Sequence, residues 1–271
     1  MGSDAAVYLF DYHRYQDEII PALHRLLLDG TLPSWIEAVL ERLPWGGASV
    51  EEHFSPHLRQ YAADLVHYCH YLTGDFAFPG SRHPVNWNDR VDWRDRRCAS
   101  TTCPERHHCP FHALQRAEGA EEFNWLFELA VSAFCLGESQ FVGRSVNPYW
   151  YEELLKRFHV PDDHPLYPLL HHLGSRGFVV GYQFSNSDGI HGWLTPPETQ
   201  QLAQHLAGLP LPHYEPTFAA MEQFRTTRPG PYACEGVPFK ELSLSFVRTV
   251  ATIAATCKQG LLWGNDISPL R

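Results

Sequence analysis

The sequence is short of positive charge and has no long hydrophobic run. Lys and Arg total 21 against 31 Asp and Glu, which gives a formal net charge of −10 with the 17 histidines neutral. Such a chain repels a long phosphate backbone on average, so nucleic acid is a disfavoured partner. Arg94, Arg96 and Arg97 form a local basic run, for which a solvated loop is the plainer reading. No stretch approaches the roughly 18 uninterrupted apolar residues that suggest a membrane span. The opening MGSDAAVYLFDYHRYQDE has neither a basic leader region nor a long apolar one, so the expectation is a cytoplasmic protein without a secretory signal. Also missing are a GxSxG nucleophile turn, a phosphate-binding glycine loop and a dinucleotide fingerprint. The commonest enzyme classes lose their usual sequence support accordingly.

What is present is globular in composition. Of 271 residues, 44% are hydrophobic and 19% charged, too apolar for disorder. A chain of this length buries roughly 70–75% of the surface its unfolded form exposes, enough for a sizeable core. No repeat divides it, and the expected organisation is a single domain over 1–271 with a possible subdomain split near 175.

Periodicity then places the elements. AVYLFDY reads as a strand, and Ile19, Ile20, Leu23, Leu26 and Leu27 recur at helical spacing up to Gly30. Ser34 with Glu37 predicts a capping box that opens a helix through Leu43. Ser55-Pro56 opens a third helix with a stripe of Leu58, Tyr61, Leu65, Val66, Cys69 and Leu72, closed by Gly74. The segment from 118 to 135 is apolar on nearly every side and reads as a buried helix. Further helices are expected over 148–158 and near 169–173. GFVVGYQF and IHGWL are the expected arms of a hairpin around SNSDG. Thr195-Pro196-Pro197-Glu198 predicts a capped helix to about Ala207. Leu242, Phe246, Val250, Ile253, Ala254 and Cys257 predict a last amphipathic helix, stopped by Gly260. The fold class is α+β: mainly helical through the first two thirds, with a small antiparallel sheet plus helices in the last third.

Residues 76–117 stand apart as an irregular insert without sustained periodicity. Within it, CASTTCPERHHCPFH concentrates three of the seven cysteines and three histidines. Cys98-x4-Cys103-x5-Cys109-x2-His112 is a Cys3His set, which suits Zn²⁺ in a closed tetrahedral structural site. Pro104 and Pro110, each directly after a cysteine, keep the segment irregular enough to wrap one ion. His107 and His108 are alternative fourth ligands, and an iron-sulfur cluster is the alternative cofactor. Four ligands leave no open position for substrate, so the expected role is to order the insert rather than to catalyse. Cys69, Cys135, Cys234 and Cys257 stand outside the cluster and read as reduced, mostly buried thiols.

Chemistry, if any, belongs elsewhere. Asp64, His67 and His70 recur every three residues along one shoulder of the third helix, a carboxylate and two imidazoles in a plausible catalytic metal set; a solvated helix face is the plainer reading. In the hairpin, His191 is a candidate general base with Asp188 orienting it, although turn formation alone explains most of that loop. His171 and His172 are adjacent and point apart, which argues against a shared metal. The functional expectation is a zinc-stabilised protein that binds a partner protein or a small ligand. The alternatives are a metal-dependent hydrolase with a separate His/Asp site, and an iron-sulfur protein.

Overall fold

The computed structural model describes residues 4–22, 25, 34, 35, 38, 91, 92, 97, 98, 128–144, 146–175, 189–212 and 238–267. These residues comprise strands β1 (Asp4–Phe10), β2 (Val91–Asp92), β3 (Arg97–Cys98), β4 (Leu136–Arg144), β5 (Gly189–Leu194) and β6 (Gly260–Asn265). The principal helices are α1 (Glu152–Arg157), α2 (Leu166–Ser175), α3 (Pro196–Ala207) and α4 (Phe239–Thr256). Two compact units emerge: one holds the described residues of 4–13, 135–175, 189–212 and 238–267, the other those of 14–38, 91–98 and 128–134.

The first unit is built on a four-stranded antiparallel sheet in the order β4-β1-β6-β5. The fold class is thus α+β, but the sheet is not confined to the last third of the chain, because β1 and β4 precede residue 175. β5 runs against β6, with Trp193 opposite Leu262 and Leu194 opposite Leu261. The expected hairpin partner lies outside the described residues.

Alternation along β1 explains why it sits in the middle. Ala5 and Val7 join the helix-covered core with Trp263 and Leu261 of β6, and Leu9 packs against it. Tyr8 and Phe10 point the other way and are also buried, Phe10 meeting the Trp193 ring at 6.3 Å. A strand buried on both faces favours the β-branched and aromatic residues found here. At one end of the sheet, Asp4 receives Arg144 Nε at 2.9 Å, and Asp4 and Asp266 exchange two backbone-anchored hydrogen bonds of 2.9 Å.

The helices follow local signals closely. Thr195 caps α3 through a reciprocal box with Glu198, and Pro196 occupies the first helical position. Pro148–Tyr151 forms a 3-10 turn, with the Asn147 side chain accepting the Tyr149 N–H, and passes directly into α1. α4 departs from the expected amphipathic form, since every residue from Leu242 to Ala251 is buried. Its hydroxyls make this possible: Ser245 and Thr249 donate back to the carbonyls of Leu242 and Ser245, so polar side chains enter the interior with a partner. Nor does Gly260 stop α4. The chain turns at Lys258, with φ of 56°, and Gly260 already begins β6.

Glycine is needed where α4 meets the sheet. Gly143 in β4 has φ of 148°, and a Cβ there would lie 2.5 Å from both Phe239 Cζ and Val146 Cγ2. One hydroxyl of α4 also ties the layers together: Ser243 Oγ donates to the Val142 carbonyl of β4 and shares a hydrogen bond with Tyr151 Oη, each at 2.6 Å. Burial drives the Tyr151 phenol far above its ordinary pKa, and the Ser243 bond offsets this only partly.

The second unit begins at Arg14, where the helical turn Tyr12–Arg14 runs into the π-helical stretch Tyr15–Ile19. Residues 128–134 are helical, as expected, with Leu129, Ala130 and Val131 buried. Phe134 is held by Trp35, edge-on at 4.8 Å, and by Arg14, which donates to its carbonyl at 3.1 Å and lies over its ring. Ser34, expected as a cap, is itself helical together with Trp35 and Ala38. β2 and β3 form a separate two-stranded antiparallel ribbon, with Val91 opposite Cys98. The expected third helix and the rest of the 76–117 insert lie outside the described residues.

Replacing Ser243 by Ala removes one partner from two buried hydrogen bonds and leaves the Tyr151 hydroxyl in the core without it. The expected loss is about 1–3 kcal/mol in urea unfolding, and Tyr151→Phe in the same background should restore part of it.

Candidate functional site

Of the candidate catalytic and metal-ligating residues expected from the sequence, His191 and Cys98 fall within the described structure. Asp64, His67, His70, Asp188, Cys103, Cys109 and His112, with the alternatives His107 and His108, lie outside the described residues. Cys98 ends β3, so the first cysteine of the cluster is fixed in backbone register opposite Val91. His191 occupies β5 and is 8% exposed. The register with β6 slips there: Ile190 faces Gly264 and Gly192 faces Trp263, leaving His191 as the extra residue of a β-bulge. Bulges re-aim side chains and recur beside functional sites. Gly189, with φ of 96°, opens the strand just before it. Among the described residues no three His, Cys, Asp or Glu side chains come together in a group able to hold a metal ion.

The best-defined polar constellation surrounds α2 instead, and its members come from segments far apart in sequence. His171 and His172 diverge, as adjacent helical residues must, and each reaches a carboxylate on a different neighbour. His171 Nε2 lies 2.9 Å from Glu152 Oε1 of α1, with its ring 4.8 Å from that of Tyr149. His172 Nδ1 lies 3.3 Å from Glu198 Oε1 of α3. The other oxygen of Glu198 accepts from the Thr195 N–H at 2.9 Å and the Thr195 hydroxyl at 2.8 Å, so one carboxylate both caps α3 and binds α2 to it. At the opposite end of α2, the His164 and His205 rings meet edge to face at 4.8 Å. Burial, and secondarily His164, lower the His205 pKa.

Glu152, His164, Glu198 and His205 carried no functional signal in the sequence beyond the capping role of Glu198. The adjacent-histidine pair on a short helix was the available clue. Two imidazoles splayed by one helical step suit a helix wedged between two others.

The aromatic residues divide between core and surface. Trp193 and Tyr151 are core, whereas Trp150 is 45% exposed beside Lys240, whose ammonium bonds Glu153 at 2.6 Å and thereby lowers the Glu153 pKa. Cys135 is buried as expected; Cys257, just past α4, is exposed.

Compared with protein-family models, with curated proteins and with solved structures, the chain matches none of them.

The half-exposed His172–Glu198 pair is expected to couple by less than about 1 kcal/mol at neutral pH. A double-mutant cycle with His172→Ala and Glu198→Gln, read by urea unfolding, measures that coupling; a value well above this would mark the pair as a principal tie between α2 and α3.

Proposed function

We propose that Cys98, Cys103, Cys109 and His112 bind one Zn²⁺ ion that orders the 76–117 insert, and that the protein binds a partner protein or a small ligand. The observation that carries the zinc assignment is the ligand spacing, in which three thiols and an imidazole fall within fifteen residues. The ribbon supplies a reason for such a clasp. Cys98 closes a pair of strands only two residues long each, and an isolated two-stranded hairpin is marginal in water. A metal bound through thiolates that flank such a ribbon adds folding free energy where backbone pairing provides little.

The cytoplasm is the proposed compartment. Cys257 is an exposed free thiol, which suits a reducing environment. No helix among the described residues is long and apolar enough to cross a membrane.

A second reading, a metal-dependent hydrolase, draws on one observation: His191 is buried at a bulge, a setting in which an imidazole can serve as a positioned general base. In that reading Asp64, His67 and His70 hold a second metal, and Asp188 orients His191.

Anaerobically purified protein should contain one equivalent of zinc and show no visible absorption. Iron with broad visible absorption would replace zinc by a cluster. His67→Ala with His70→Ala should leave the zinc content unchanged; loss of a second equivalent would favour the hydrolase. Cys103→Ser should release the metal and lower the melting temperature by on the order of 10 °C. A Cys103→Ser protein that keeps its zinc and melts with the parent would remove the structural site.

A further inference from the structure

We draw no further inference here: the strongest candidate, the surface patch where the exposed Trp150 ring before α1 meets Lys240 at the start of α4 and Lys240 in turn bonds Glu153, presents a single exposed aromatic side chain, and nothing in the structure shows what covers it.

Discussion

The pairing of β1 with β6 joins residues about 250 positions apart, Ala5 standing opposite Asn265 and Phe10 opposite Gly260. Because β1 also pairs with β4, and β6 with β5, these two strands form the centre of the sheet and every other strand is added to one of them. α4 packs over β1, β4 and β6 and against α3, while α2 packs on β5 and β6. Contacts of such sequence separation carry a large loop-closure cost, and the pairs that repay it are apolar: Val7 with Trp263, Tyr8 with Leu262, Leu9 with Leu261.

Several polar groups in this interior have partners nearby, whereas the buried Thr199 hydroxyl has none among the described residues. Ser243 is shared between Tyr151 and the Val142 carbonyl, the Trp263 indole donates to Asn265 Oδ1 at 3.3 Å, and the α4 hydroxyls return to their own helix. Around α2 the same economy takes another form. Histidines reach two carboxylates and each other, so the helix is tied to both of its neighbours through polar side chains. α2 thus combines a buried apolar side, with Leu166, Leu170 and Leu173 in the core, and polar attachments at its surface.

Legibility followed the range of the interaction. The Thr195–Glu198 box was visible because both partners lie within four residues and the cap is a local matter. The burial of residues 129–131 was visible because an apolar surface all round a helix leaves no face for water. β4 escaped notice: LGESQFVGR alternates weakly, and its Gly and Glu residues suit an edge strand whose Gly137, Glu138 and Ser139 are exposed. β6 was passed over as a short apolar run, a pattern that periodicity cannot assign to helix or strand. Among the site residues, the Cys98–His112 spacing is a local signal and was read directly. The burial of His191 at a bulge depends on the register of β5 against β6, which no spacing within β5 encodes.

By itself, then, the sequence determined caps, turns and the concentration of cysteine and histidine side chains, because these depend on residues a few positions apart. Only the tertiary structure decided that the two ends of the chain meet at the centre of one sheet, that α4 is buried rather than amphipathic, and that His164 meets His205. Each of those outcomes brings together groups separated by long stretches of chain or turns on packing from every side. Their energy comes from water excluded between surfaces that linear order does not place together.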